Sequence, residues 1–508
     1  MTTVDTPPVP TPAPAPQPPP VQPGSFFGAE WPGADGGAHK VTLAAVAIAG
    51  VTAAASLPLD RQGVGWLATG LAVFLGLLMV ALIEGRPRIS VSGVLRVAWG
   101  VAALALLAVG TLRAADWLFA LSLPAAGVAG AIAIVGGRSV QGIVGSVLIQ
   151  PIAVLRALPW GFKGVADLRG GRDRRNSARV GLTVLVTVAL LLVFGMLFAS
   201  ADVGFARLTE SVIPDGPTVF RWVFLFGAVG ALTLGGAYLV LGPPRVDESE
   251  PGERRTVHRL EWTLPVAALD TLFVAFVLVQ LTVLFGGSEY VLRTSGLTYA
   301  EYARRGFWQL LVIMVLTLAV LGAAAHWAPR RTLVDRVLIR VLLGLLAALT
   351  LVTIVSALYR MQVYEEAYGF TQLRVFVMTV ELALGVVYLL VVAAGIRLRG
   401  SWLPQAVVAT GVVALLGLVA IDPDRFIAEQ NIIRYERTGQ IDTSYLADLS
   451  PDAIPALVRL SGTSSGRCVL EEVASGLAEP DDWKEWNYGR WRARQVLATT
   501  QLTFNCRG

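Results

Sequence analysis

Two groups of polar residues in an otherwise apolar chain have the types and spacing to do chemistry. The first is the run Tyr359-Arg360-Met361-Gln362-Val363-Tyr364-Glu365-Glu366-Ala367-Tyr368-Gly369, followed by Arg374. Arg360, Tyr364 and Tyr368 recur every four residues, so on a helix they share one face. Glu365 and Glu366 flank them, and Gly369 lets the chain turn before Arg374. A similar stretch, Tyr299, Tyr302, Arg304 and Arg305, stands before the apolar run 307–325. Arginine forks grip phosphate or carboxylate and tyrosines stack on sugar rings, so one shared pocket would suit a glycan, a lipid headgroup or a peptide. An aromatic belt with snorkelling arginines uses the same residue types and needs no ligand. An internal salt-bridge network with Glu365 and Glu366 is a third way to use them.

The second group lies inside apolar runs: Asp270, Gln280 and Glu381. An ionisable group in lipid costs at least about 2.5–3.5 kcal/mol, so these side chains are expected to face protein or water. Asp270 sits about 9 Å from one end of its run and Glu381 equally far from the opposite end, at about 1.5 Å rise per residue. In a hydrocarbon core about 30 Å thick the two levels differ by roughly 12 Å, too far for a direct pair. Gln280 lies near the level of Glu381, and a hydrogen bond between them is expected. A proton or cation relay between Asp270 and Glu381 is one reading; two acids satisfied by neighbouring helices is the other.

Signatures of soluble enzymes are missing from the sequence: there is no phosphate loop, no HExxH and no G-x-S-x-G elbow. His39, His258 and His326 lie at or outside the edges of the apolar runs, and the only cysteines, Cys468 and Cys506, lie near the end of the chain. No cofactor and no metal site is therefore expected. A transferase acting on a lipid-linked substrate would need an acid beside the membrane, for which Asp422, Asp424 and Glu365 are the candidates. No basic stripe carries interleaved aromatics, so nucleic acid is not an expected partner.

The elements that must position these residues are membrane helices. Of the 508 residues 55% are hydrophobic and 15% charged, against about a quarter charged in a soluble domain. Apolar runs long enough to span occur at 41–59, 64–83, 97–112, 117–135, 180–201, 219–241, 264–285, 307–325, 337–358, 375–396 and 404–421. Segment 139–155 is also apolar, but Gln150-Pro151 is expected to break it. Counting it as a span would invert every helix before it. Treated as non-spanning, it leaves twenty Lys and Arg in the loops on one side and eight on the other. By the positive-inside rule the basic side is cytoplasmic. Segment 139–179 then reads as an interfacial helix and basic loop, with Arg156, Trp160 and Lys163 at headgroup depth.

The expected fold class is all-α: a polytopic bundle of about eleven spans over residues 41–421, with a small helical extracytoplasmic domain at 422–508. Residues 1–40 hold eleven prolines and read as a disordered cytoplasmic leader. In the tail, Asp442 is placed to cap a short helix, and Ser450-Pro451-Asp452 reads as the start of another. Helices are expected at 424–438, 443–448 and 451–460. Cys468 and Cys506 can close a loop, a disulfide contributing on the order of 3–4 kcal/mol in an oxidising compartment.

Three stretches carry a resemblance to a known family. They are Tyr299 to Phe307, Tyr359 to Arg374, and Asn431 to Leu457 with its Gly439, Asp442, Tyr445-Leu446 and Leu449-Ser450-Pro451-Asp452-Ala453. Over roughly 180–460 the chain resembles a bacterial membrane-protein family known only as domain of unknown function 4173, related to 4153. The resemblance implies a multi-span protein of the bacterial plasma membrane and no activity. The leading expectation is an envelope-associated binding, sensing or assembly factor, with membrane lipids and an envelope glycan, lipid headgroup or protein as partners. A transporter or flippase using the intramembrane acids is the alternative, and a lipid-linked transferase the second alternative.

Overall fold

The computed structural model describes residues 31, 33–85, 91–168, 216–244, 246–247, 257–295, 307–398 and 400–500, with scattered positions between 183 and 204. Every regular element among the described residues is helical. In hydrocarbon each backbone N–H and C=O must find a partner within its own segment, so long apolar runs become helices. In chain order these are α1 (Lys40–Ser56), α2 (Val64–Ile83), α3 (Val91–Leu107, extended by the turn Val109–Leu112), α4 (Asp116–Val135) and α5 (Val140–Leu168). There follow α6 (Gly216–Leu241), α7 (Arg259–Ser295), α8 (Phe307–Trp327), α9 (Leu333–Tyr368), α10 (Gln372–Arg397) and α11 (Leu403–Ile421). Within α9 a π-turn, Ile339–Leu343, interrupts the α-helical ladder.

Buried side chains divide the bundle into packed groups. Leu234, Ala237 and Tyr238 of α6 meet Ala45 of α1, Val80 of α2 and Ala157 of α5. Trp262, Met314, Leu346 and Tyr388 pack α7, α8, α9 and α10 together. Val412 of α11 joins Trp99, Ala129 and Ile143, so the last membrane helix bridges the groups. Large apolar side chains such as Leu75, Met79, Val355 and Leu389 remain on the outside, facing where lipid would lie.

The helix ends sort to two opposite faces. One face holds the segment before α1, and we call it the leader end: Trp31 Nε1 donates to Gly242 O after α6 at 2.7 Å, Thr42 binds Glu84 after α2, and Gln405 of α11 donates to Gly137 O after α4. The other holds the tail, α12 (Pro423–Thr438), α13 (Thr443–Ala447), α14 (Ser464–Ser475) and α15 (Tyr488–Thr499). Asp442 caps α13, its side chain accepting from Tyr445 N, as expected. Ser450 makes no side-chain cap, and the helix expected at 451–460 is a chain of single turns, Pro451–Ala453, Ile454–Leu457 and Val458–Leu460. The pairing expected for Cys468 and Cys506 is half visible: Cys468 is disulfide-bonded, and Cys506 lies outside the described residues.

Ten helices of the described residues are long and apolar enough to cross a membrane, and α5 is among them. Contrary to expectation, Gln150-Pro151 does not break it: α5 runs on through Pro151 and Pro159. Its contacts bear on its course. At its start Arg138 N and Ser139 N donate to Asp247, beyond the end of α6. Near its other end Ala38 N donates to Trp160 O at 3.2 Å, beside the start of α1. Both ends of α5 therefore lie beside leader-end segments, the one after α6 and the one before α1. Of the segment 180–201, read as a span, only scattered positions are described, and those are helical. A reporter fused at Gly400 is expected to read cytoplasmic and one fused after Thr500 extracytoplasmic. The same compartment for both would sink the eleven-span topology.

Candidate functional site

Where α11 ends, its last carbonyls have no partner within the helix. Arg113, at the end of α3, supplies one: its Nε donates to Val419 O at 2.8 Å and its Nη2 to Ala420 O at 3.4 Å. Its Nη1 pairs with Asp422 Oδ2 at 2.8 Å. Asp422 adopts the left-handed conformation, φ 60°, which turns the chain from α11 into α12. Aspartate is one of the few non-glycine residues that visit this region routinely.

Two further acids of the tail lock it to the bundle. Asp424 is 0% exposed and accepts from Trp117 Nε1 at 3.2 Å, Gln372 Nε2 at 3.0 Å and Ser450 N at 3.1 Å. Asp452, 4% exposed, accepts from the N–H groups of Ala114 at 2.7 Å and Ala115 at 3.2 Å, where α4 begins. An acceptor at a helix N-terminus meets unpaired donors and the positive end of the helix dipole. Asn431 binds the backbone of Phe370 both ways, at 3.0 and 2.9 Å, and Gln372 N donates to Tyr445 OH at 2.7 Å. On the far side Asn487 Nδ2 donates to Gly110 O and Arg113 O, and Arg490 pairs with the buried Asp481 at 2.8 Å.

A polar cleft of about 360 Å³ opens at this seam, lined by Arg113, Asp422, Arg425, Glu429, Tyr488 and Arg492. Arg425 pairs with Glu429 at 2.8 Å, and Arg113 with Asp422. Arg492 makes no hydrogen bond or ion pair among the described residues, and its field reaches Asp422. Burial raises the Asp422 carboxyl above its ordinary range, while Arg113, Arg425 and Arg492 pull it back. One oxygen, Asp422 Oδ1, is buried without a hydrogen-bond partner among the described residues. Tyr488 stacks on Trp491 at 5.8 Å, and Trp483 and Trp486 are exposed nearby in the chain. Three arginines against two carboxylates leave a net positive charge, and the aromatic rings of Phe426 and Tyr488 line the same cleft.

The motif residues of α9 are placed differently from the expectation. Arg360 is 8% exposed and turned into the bundle, where it and Ser356 donate to Gln280 Oε1. Tyr364 and Tyr368 do share a face, ring centroids 5.0 Å apart. Arg374 lies over the Tyr364 ring at 4.2 Å, donates to the Tyr364 hydroxyl at 3.1 Å and binds Gly369 O. Glu365 is buried. Tyr299, Tyr302, Arg304 and Arg305 lie outside the described residues, so their convergence with this group stays a proposal.

Among the intramembrane acids, Asp270 and Gln280 share the inward face of α7 with Val266, Phe273 and Val277. The bond expected between Gln280 and Glu381 is not made: both Glu381 oxygens are buried without a hydrogen-bond partner among the described residues, and the Gln280 amide oxygen accepts from Arg360 and Ser356. Glu365 and Glu381 are 1% and 0% exposed, and neither they nor Asp270 has a hydrogen-bond partner among the described residues. Of the acids considered for transferase chemistry, Asp424 is committed to three donors, Asp422 to Arg113, and Glu365 is enclosed. Arg113 and Arg492 were not legible as site residues, since nothing local links positions so far apart.

The fold and seam together define a polytopic all-α membrane protein with an ordered helical domain fastened to one end of its bundle. Residues 101–460, most of the chain, match the family described as Domain of unknown function (DUF4153), and the chain belongs to it. The family shown is 4153; family 4173, which the motifs resemble, is not shown by this match. No curated protein and no solved structure matches the chain.

Burial pushes the Asp452 carboxyl up to about 7; Asp422 adds to the rise, and Ala114 N–H and Arg113 offset part of it. An acid whose carboxyl is raised on folding stabilises most below its unfolded range, and that stability is lost as pH rises through the folded value. Limited proteolysis of the tail is therefore expected to quicken as pH rises from about 4 to about 7. Asp452→Asn keeps an acceptor without the charge and should flatten this profile. Asp452→Ala should loosen the tail at every pH, by about 1–3 kcal/mol.

Proposed function

We propose that the protein is a binding or sensing component of the bacterial envelope, anchored by its bundle, with its ligand site at the extracytoplasmic seam. One observation carries this reading: the cleft that joins Arg113, Arg425 and Arg492 to Tyr488 holds an excess cation at its rim. The chemistry fits an anionic group, a phosphate or carboxylate on an envelope glycan or lipid headgroup, with Tyr488 placed to stack on a sugar ring. Because the tail is fastened to α3, α4, α10 and α11 around this cleft, a ligand held there would bear on both bodies at once. No catalytic step is assigned to it.

A transporter is the second reading, favoured by the carboxyls of Glu365, Glu381 and Asp270, enclosed among helices without hydrogen-bond partners among the described residues. Such groups in a bundle interior take up and release protons or cations in pumps.

The seam reading is tested by thermal shift of the purified full chain with inorganic phosphate and with glycerol phosphate. Stabilisation of the native protein is expected, and Arg492→Glu should weaken apparent affinity by about ten- to a hundredfold, the loss of one charge-assisted contact. Tail protease resistance should survive this change, since Arg492 holds nothing in place. If neither anion shifts the transition, or if the variant responds as the native chain does, the seam is structural only.

A further inference from the structure

At the opposite end of the molecule a second cavity, of about 660 Å³, opens between the start of α5 and helices α8, α9, α10 and α11. Its volume is that of a typical small-molecule site. The walls are aliphatic, among them Val140, Leu321, Val391 and Val407. Water has too few polar partners to fill such a space, so in a bilayer the available filler is an acyl chain.

Two features show how the space is held open. Gly322, Gly344, Gly395 and Gly400 all line it, and a Cβ added at any of them would meet nothing within 4 Å. The π-turn Ile339–Leu343 also faces it, through Ile339, Arg340 and Leu343. Such turns are uncommon and recur at functional sites.

The charges at the cavity are of one sign. Arg330 and Arg340 line it, and no carboxylate does among the described residues. Arg330 donates to Ala325 O at 2.8 Å, and Arg340 is exposed with no hydrogen bond or ion pair among the described residues. The nearest acid along the chain, Asp335, is taken by Arg259 and by the Thr332 capping box. These cations stand at or near the start of α9, where a headgroup lies when its chains run alongside the helices.

We propose that this crevice is a binding site for one anionic phospholipid of the leader-side leaflet. One acyl chain lies between α5 and α8–α11, over the four glycines, and its phosphate is held by Arg330 and Arg340. The site is separate from the seam cleft and independent of the ligand proposed there.

The test is native mass spectrometry of the full chain, delipidated in mild detergent and then offered phosphatidylglycerol or phosphatidylcholine. Retention of phosphatidylglycerol is expected to exceed that of phosphatidylcholine by about tenfold or more, the effect of one or two charge-assisted contacts. The double variant Arg330→Gln, Arg340→Gln should lose that preference and keep weak retention of both lipids. Gly344→Leu should lose retention of both, with circular dichroism and tail protease resistance unchanged; Gly395→Leu serves the same purpose should the first variant fail to fold. Equal retention of the two lipids by the native chain, or a preference that survives the arginine variant, overturns the proposal. So does a second copy of the chain crosslinked at Val140 in place of lipid, or protection by inorganic phosphate equal to that by phosphatidylglycerol.

Discussion

The tail end of the molecule depends on two acids withdrawn from water, Asp424 and Asp452. A buried polar group without partners is costly, and donors aimed at its oxygens offset that cost. Those donors come from elsewhere in the chain: the indole of Trp117, the amide of Gln372, and the first N–H groups of α4. Removing the tail would strip these helix starts of their acceptors, and displacing the helices would leave the acids bare. The apolar core follows the same plan. Val109, Leu118 and Leu418 of the bundle pack in one cluster with Ile427, Leu446 and Leu457 of the tail. Tail and bundle therefore form one structural unit at this end, and the left-handed turn at Asp422 is the covalent link between them.

Polar groups are handled differently at other depths. At the seam most acids are answered by a base or a run of N–H groups, which rigidifies the junction. Within the bundle the Gln280 amide oxygen accepts from Ser356 and Arg360, whereas the carboxyls of Glu365, Glu381 and Asp270 are buried without a hydrogen-bond partner among the described residues. At the leader end the open volume is apolar, and among the described residues its charged lining is Arg330 and Arg340. The two cavities thus differ in their linings: charged and polar at the tail end, aliphatic with two arginines at the leader end.

The α9–α10 hairpin connects these levels. Its turn at Gly369 is held by Asn431 of the tail, and a residue with a side chain at that positive φ would also strike the Asn431 amide. From the turn, α9 descends past Arg360 and Glu365 to the π-turn at the crevice. A single long helix therefore touches the tail, the buried acids and the lipid-facing cavity. A change in its rotation or tilt is the simplest route by which events at one end would reach the other.

Much of the architecture was legible from residues alone, because hydrocarbon imposes a local rule. A segment that must satisfy its own backbone and face lipid shows itself as an apolar run, and the runs ending at Ile83, Val135, Leu241 and Ile421 end in the structure as read. Local caps were legible for the same reason: Asp442 bonds an N–H three residues on. The pairing of Tyr364 with Tyr368 followed from helical periodicity. What the sequence left open was the rotation of each helix about its axis and the meeting of distant positions. Periodicity puts Arg360 on a face with Tyr364, but only packing against α7 decided that Arg360 turns inward to Gln280. Arg113, Asp422 and Arg492 become neighbours only when distant helices are brought to one level, and the crevice exists only as space left between five packed helices. Contacts of this kind have no period along the chain, and a void has no residue of its own.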